Sequence, residues 1–150
     1  TFSIVTWLFF DALHTSASYL VAKWADNGTD DEFRIYFSGT GSDNTLYFTI
    51  GNGAGGGDAI NATTFGTPPT ATWMMVACTC DPSGGLKISV NAGTQNTTAK
   101  TVTIPSAAGD FRLGNADQNY NGRIDQTAYY KGRALTAAEI NAALERRKNP

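Results

Sequence analysis

The sequence predicts an all-β protein, a β-sandwich with one short helix at its C-terminal end. Short runs of apolar residues recur along the chain, and turns rich in Gly, Asp and Asn separate them. β-Branched and aromatic residues are frequent, whereas glutamate, a good helix former, is rare. Many short strands with turn residues between them are typical of a sandwich.

The first half of the chain contains four predicted strands. Phe2–Phe10 is a long apolar run, as expected for a strand buried on both faces, and Tyr19–Trp24 follows it. Phe33–Phe37 and Leu46–Ile50 alternate between apolar and other residues, and the Gly-containing turn between them predicts a hairpin. The side chains expected to point into the core are Phe33, Ile35, Phe37, Leu46, Phe48 and Ile50.

The second half contains five more predicted strands. Trp73–Cys80 is apolar, and after the turn at 81–85 the residues Leu86, Ile88 and Val90 form the inward face of the next strand. The remaining strands are predicted at Lys100–Ile104, Phe111–Gly114 and Arg123–Tyr130. Val76, Leu86, Ile88 and Val90 complete the expected core.

The C-terminal helix is predicted by its start signals. Thr136 is a favourable N-cap residue, and Glu139 stands three positions later, which forms a capping box. Leu135 and Ile140 flank the cap in the positions of a hydrophobic staple. Ile140 and Leu144 then share one face, so this helix is expected to pack on the sandwich.

Composition excludes several classes of protein. A chain of 150 residues fits one domain, and we expect residues 1–150 to form it. The net charge of −2 argues against nucleic-acid binding. No apolar stretch approaches the roughly 20 residues of a membrane span, so membrane insertion is not expected. The chain begins with Thr rather than Met, which suggests part of a longer polypeptide.

Motifs for catalysis or redox chemistry are weak. Gly51–Gly56 has the glycine spacing of a dinucleotide site, but no helix-forming segment follows it. Glu32, with two aspartates before it, is expected to be a solvated start of a strand rather than half of an acid–base pair, and His14 stands alone. Cys78 and Cys80 are too close along one strand for a disulfide and are expected to be small buried hydrophobic residues.

Oxygen-bearing side chains suggest a calcium site. Asp117, Asn119 and Asn121 alternate within the loop at 114–122, and Asp125 follows in the next strand. Carboxylate, amide and backbone oxygens are the ligands that Ca²⁺ takes, which makes Asp117 and Asp125 the candidate metal ligands. The alternative is an ordinary polar hairpin loop without a metal.

Two aromatic residues are candidates for stacking on sugar rings. Trp24 ends a strand before a polar loop, and Tyr120 lies inside a polar loop, so both are expected to expose a ring face. Asn119, Asn121 and Asp117 would be their polar partners. Trp7 and Trp73 lie in apolar runs and are expected in the core.

Several segments, in order, resemble the laminin-G-like, concanavalin A-like jelly-roll family. The similarity spans almost the whole chain, and its most specific part is the C-terminal third. The segments that carry it are Phe2–Trp7, Leu20–Trp24, Trp73–Asp81, Leu86–Asn91, Phe111–Gly114, Gly122–Asp125 and Arg133–Ile140. The resemblance implies a two-sheet antiparallel jelly roll. Some members of the family hold Ca²⁺ near the rim, and Asp125 is the position that matches the family's Gly-x-Ile-Asp motif. The alternative is a structural role for this aspartate, in which it bonds the neighbouring turn.

The resemblance implies binding of glycans or protein surfaces in extracellular, cell-surface or virion proteins. Our first hypothesis is therefore a non-catalytic carbohydrate-binding module. The alternative is a structural or adhesive module of a virion fibre, virion decoration or cell-surface assembly, with protein neighbours as partners. An enzyme is disfavoured because the Glu-x-Asp-x-Glu strand of the related glucanases is absent from the sequence.

One sheet edge is expected to need a cover. Relatives usually carry a further strand before the one that starts here at Phe2, and it lies beside the strand that corresponds to Arg123–Tyr130. Uncovered strand edges expose backbone donors and acceptors, which proteins normally pair or blunt. We therefore expect a larger polypeptide or a multi-chain assembly to cover this edge.

Overall fold

The strands and the single helix follow the predicted order. The computed structural model describes residues 1–24, 32–51, 60–62, 65–98, 109–114 and 120–148. The strands are β1 Phe2–Phe10, β2 Ser18–Lys23, β3 Phe33–Phe37, β4 Leu46–Ile50, β5 Ile60–Ala62, β6 Trp73–Asp81, β7 Gly85–Val90, β8 Asn96–Thr98, β9 Phe111–Leu113 and β10 Gly122–Lys131, and helix α1 spans Ala137–Lys148.

The strands form two antiparallel sheets that face each other, which confirms the sandwich. One sheet has the order β10-β1-β6-β7-β8 and the other has the order β5-β4-β3-β2-β9. We call them the β1 sheet and the β3 sheet. The edge strands of one sheet lie against those of the other. At one edge the rings of Phe111 in β9 and Tyr129 in β10 lie 6.2 Å apart, and at the other edge β5 contacts β8.

The main core lies between the two sheets and consists of the inward side chains of their central strands. Alternation directs these side chains, because successive residues of a strand point to opposite faces. The apolar run of β1 supplies Phe2, Ile4, Leu8 and Phe10 to this core. All ten core residues expected from the sequence are buried here, so that prediction is confirmed.

A second apolar cluster covers the outer face of the β1 sheet, where helix α1 packs. Trp7 and Met75 of the sheet lie beneath Ile140 and Leu144 of the helix. Trp7 is therefore buried under the helix rather than between the sheets, and Trp73 is only partly buried at the border of this cluster. The two sides of β1 are thus both covered, which explains its unbroken apolar run.

Two details differ from the sequence-based expectations, and one prediction falls outside the described residues. Strands β5 and β8 have three residues each and were not predicted. The predicted strand at Lys100–Ile104 lies outside the described residues. Glu32 is 8% exposed, with its carboxylate accepting a hydrogen bond from the ammonium group of Lys23, so the expectation of a solvated residue is wrong. The lysine compensates the buried charge.

The two cysteines are free thiols in the main core, as predicted. Cys78 and Cys80 point the same way from β6 and are fully buried between the sheets. Burial raises the pKa of Cys78 well above its ordinary value and that of Cys80 to about 11, because a buried thiolate loses its hydration.

Candidate functional site

The outer face of the β3 sheet carries a cluster of aromatic rings around one arginine. In β3 the inward positions are Phe33, Ile35 and Phe37, so Arg34 and Tyr36 point outward. Neighbouring strands bring further rings to the same side. We call this group, Tyr19, Trp24, Arg34, Tyr36 and Tyr47, the aromatic face.

The guanidinium group of Arg34 sits among three of these rings. Its central carbon lies 4.1 Å from the ring centre of Trp24, 4.4 Å from that of Tyr36 and 4.9 Å from that of Tyr19. An Arg34 Nη1–H group also donates a hydrogen bond to the hydroxyl oxygen of Tyr19. Cation–π contacts of this kind hold both the cation and the rings in fixed orientations.

A stacked pair of tyrosines extends this cluster towards the β3–β4 turn. The rings of Tyr36 and Tyr47 lie 5.1 Å apart with an interplanar angle of 14°, and both residues are partly exposed. The Tyr47 hydroxyl donates to the carboxylate of Asp43. Burial raises the pKa of Tyr36 above its ordinary value, with Arg34 acting in the opposite direction, so Tyr36 is neutral at physiological pH.

This arrangement combines apolar ring surface with fixed polar groups. The partly exposed rings offer flat apolar surface, Arg34 offers donors, and Asp43 offers acceptors. Ligand sites typically join mainly apolar surface to a few such polar groups that fix orientation. A sugar has the matching chemistry, since its ring has an apolar C–H face and a rim of hydroxyl groups.

Trp24 belongs to this face, but it is buried rather than exposed. Only 5% of its surface is accessible, since the guanidinium of Arg34 covers its ring at 4.1 Å. The expectation of an exposed ring is therefore wrong for Trp24. Its observed contact is the support of Arg34 from one side.

Tyr120 lies elsewhere, beneath the rim of the main core. Its ring packs edge-on against Phe10 with centres 5.1 Å apart, and its hydroxyl lies 2.9 Å from the carbonyl oxygen of Phe9 and 3.0 Å from that of Arg123. Tyr120 is thus only partly exposed, and its role as a stacking platform stays a prediction. Burial raises its pKa to about 12, because a buried phenolate loses its hydration.

Gly122 explains why the chain can pass so close to Tyr120. A Cβ atom at this position would lie 2.0 Å from the carbonyl oxygen of Phe9 and 2.8 Å from the Tyr120 hydroxyl. Any other residue would force these groups apart, so glycine is required here for a close approach. This accounts for the glycine of the Gly122–Asp125 motif noted in the sequence.

The other predicted site residues are not assembled into one site by the described residues. Asn121 is exposed, and its carbonyl accepts a hydrogen bond from the Asp11 amide at 3.0 Å. Asp125 is exposed on β10, whereas Asp117 and Asn119 lie outside the described residues. Within the described ranges, no three acidic, His or Cys side chains group as metal ligands. Calcium binding through Asp117 and Asp125 stays a prediction, which calorimetry with millimolar Ca²⁺ tests.

Sequence reasoning did not predict four residues of the aromatic face. The signal for Arg34, Tyr36 and Tyr47 was present, since alternation directs them away from the core. Their convergence with Tyr19 depends on strand register, in which Tyr36 is opposite both Tyr19 and Tyr47. Register couples distant parts of the chain and could not be obtained from any single segment.

Comparisons with known proteins agree on the fold. A laminin G family model, described as the concanavalin A-like lectin/glucanases superfamily, matches residues 1–141. No curated protein matches the sequence. Among the described residues, no helix has both the length and the apolar character needed to cross a membrane.

Three solved structures illustrate the similarity. Domain 4 of AbnA, an extracellular arabinanase from Geobacillus stearothermophilus in complex with arabinotriose, has a TM-score of 0.68, 20% identity and coverage of 94% of this chain. The binding domain of botulinum neurotoxin DC in complex with rat synaptotagmin II has a TM-score of 0.69, 14% identity and 97% coverage. Trypanosoma rangeli sialidase in complex with 2,3-difluorosialic acid has a TM-score of 0.68, 17% identity and 99% coverage.

This chain spans less than two thirds of each of those three chains. The spans are 65% of the arabinanase domain, 35% of the neurotoxin binding domain and 23% of the sialidase. At these levels of identity the likeness extends to the fold alone, and function has to be argued from the site.

Proposed function

This chain belongs to the concanavalin A-like lectin/glucanases superfamily, and we propose that it is a non-catalytic module that binds glycans through the aromatic face. The observation that carries the proposal is the pair of partly exposed, stacked rings of Tyr36 and Tyr47 beside Arg34. The rings would contact the C–H face of a sugar. Arg34 and Asp43 would bond its hydroxyl groups.

Fixed geometry supports this assignment. Arg34 is held by three rings and by the Tyr19 hydroxyl, and Tyr47 is held by Asp43. Groups that are already oriented lose little freedom when a ligand binds, which favours affinity. The same rigidity favours one sugar orientation over others.

The positions of two glutamates support a non-catalytic role. Glycosidases generally use two carboxylates on either side of the scissile bond. The carboxylate of Glu32 is buried against Lys23, and that of Glu139 is engaged by the helix cap and by Arg133. We propose an extracellular or surface location, in line with the extracellular arabinanase whose domain shares this fold.

A glycan array followed by calorimetry on the best ligand tests the proposal. Tyr36→Ala and Tyr47→Ala should each weaken binding about twofold to tenfold, since an aromatic contact is worth about 0.5–1.5 kcal/mol. Phe111→Ala is the matched control, because Phe111 is 45% exposed but lies at the β9 edge. Its affinity for the glycan should equal that of the unmodified protein.

Two outcomes would contradict the proposal. If the folded protein binds no glycan on the array, the proposed glycan-binding function is refuted. If both tyrosine variants keep their affinity, the aromatic face is not the binding site. Incubation with polysaccharides should release no reducing sugar. Release that disappears in Glu32→Gln would assign catalysis to that carboxylate instead.

A second candidate function, binding of protein neighbours, is favoured by the edge formed by β9 and β10. Phe111, Leu113 and Tyr129 expose 45%, 49% and 41% of their surfaces there. Exposed apolar side chains at an open sheet edge are typical of protein contact sites. Such contacts would suit a structural or adhesive module of a surface or virion assembly.

A further inference from the structure

A cleft of about 310 Å³ lies between the end of β10 and helix α1, on the opposite side of the sandwich from the aromatic face. Leu135, 8% exposed, contributes to its lining together with Ala142 and Ala143, whose small side chains leave room above the sheet. Tyr130 lines it from β10. Pockets of this volume, at the small end of the usual range, suit a ligand of about one sugar ring.

Two arginines and one glutamate carry the charge of this cleft. Arg133, Arg146 and Glu139 all line it, so its formal charge is positive although the whole chain carries −2. In the part of the chain that the structure describes, only Arg133 of these two arginines lies in an ion pair, with Glu139. An anionic ligand would therefore meet favourable charge.

Glu139 offsets one of the two positive charges, but its oxygens are already engaged by the chain and would not compete for the second arginine. Its Oε2 atom accepts hydrogen bonds from the amide of Thr136 at 2.8 Å and from the Thr136 hydroxyl at 3.0 Å, and Oε1 accepts from Arg133. These bonds hold the pKa of Glu139 below its usual value, and those from Thr136 have the largest effect. Arg133 keeps further N–H donors for a ligand.

The backbone beside the cleft is fixed to the β1 sheet. The buried hydroxyl of Ser3 donates to the carbonyl oxygen of Arg133 at 2.9 Å and accepts from the amide of Leu135 at 2.9 Å. Because both bonds use one buried side chain, the segment that carries Arg133 cannot shift without breaking them. The Glu139 ion pair then orients its guanidinium.

We propose that this cleft binds the carboxylate of an acidic sugar. The carboxylate would lie between the guanidinium groups of Arg133 and Arg146, since arginine matches a carboxylate with paired hydrogen bonds. The sugar ring would rest on Tyr130 and on the apolar floor at Leu135. The choice of a sugar rests on the proposed glycan function, whereas the choice of an anion rests on the cleft alone.

Glucuronic acid and glucose form a matched pair of probes, because they differ in the carboxylate. Calorimetry or NMR titration should find binding of glucuronate at least tenfold stronger than that of glucose. Arg146→Gln should weaken glucuronate binding about tenfold. Arg112→Gln is the control, since it removes an equal charge from exposed strand β9, and it should leave the affinity unchanged.

Three results would overturn the proposal: equal binding of glucose and glucuronate, unchanged glucuronate affinity in Arg146→Gln, or displacement of glucuronate by an equal concentration of inorganic sulfate. The last would reduce the cleft to a charged patch without preference for a sugar. Tyr36→Ala should not affect glucuronate binding in the cleft. Failure of the aromatic-face proposal is therefore distinguishable from failure of this one.

Discussion

The hydroxyl group of Tyr120 joins the start of β10 to the end of β1. It lies within hydrogen-bond distance of the carbonyl oxygens of Phe9 and Arg123, and of the Phe9 amide at 3.3 Å. Its ring seals the rim of the main core against Phe10. Tyr120 thus connects two strands of the β1 sheet.

The raised pKa of Tyr120 predicts a loss of stability at high pH. An unfolded tyrosine ionises near pH 10, whereas the folded pKa is about 12. Between these values the unfolded state loses the proton and the folded state keeps it, so the free energy of unfolding falls as pH rises. After allowance for partial exposure, we expect a fall of about 2 kcal/mol from this group.

Urea unfolding of Tyr120→Phe at a series of pH values measures this fall. At pH 7 the variant should be less stable by about 1 kcal/mol, because its hydrogen bonds are lost. Because phenylalanine does not ionise, the difference between the two proteins should vanish and then reverse between pH 10 and pH 12. A difference that stays constant over that range would contradict the assigned pKa.

The cap of helix α1 has the reciprocal bonds that its sequence predicts. The hydroxyl of Thr136 accepts from the Glu139 amide at 3.3 Å, and the Glu139 carboxylate accepts from the Thr136 amide at 2.8 Å. Leu135 and Ile140 are both buried in the outer cluster, as the staple requires. The cap therefore positions the helix that covers Trp7.

Removal of the cap hydroxyl should weaken the whole domain. We expect Thr136→Ala to lower the free energy of unfolding by about 1 kcal/mol, as is typical for an N-cap. Thr136→Ser keeps the hydroxyl and serves as the control, with little change. If the alanine variant and the unmodified protein are equally stable in urea unfolding, the cap hydroxyl contributes nothing to the free energy of unfolding and the prediction is wrong.

Elements with local signals could be predicted from the sequence, and elements defined by their partners could not. The alternation in β3 and β4 and the cap of α1 each lie within a few residues, and these elements have the predicted bounds or start. Strands β5 and β8 are three residues long and depend on pairing with β4 and β7. The aromatic face depends on register in the same way.

At the scale of the whole molecule, β9 and β10 form a side of the sandwich that no other described strand covers. Each is the terminal strand of its sheet, and the apolar side chains of Phe111, Leu113 and Tyr129 are partly exposed between them. The bulge of β10 at Gln126, with φ of 46°, interrupts this edge at one point. A bulge discourages a strand of another chain from pairing with this edge, but the exposed apolar surface beside the bulge remains.

We expect residues 1–150, expressed alone, to self-associate through this edge. Light scattering should give a mass that rises with protein concentration, and Leu113→Lys should lower it because a charge at a sheet edge opposes strand pairing. Lys87→Gln, on the interior strand β7 of the β1 sheet, is the control. A monomer at every concentration would refute the expected association.

The rate at which the two buried thiols of the main core are labelled would measure how often the two sheets separate. A thiol reagent needs a thiol that is both accessible and ionised. In the folded state Cys78 and Cys80 are buried, and their raised pKa values keep them protonated. Cys80 lies opposite Phe2 near the end of β6, so fraying of strand ends reaches it first, whereas Cys78 lies further inside. The two labelling rates would therefore separate local fraying from complete parting of the sheets.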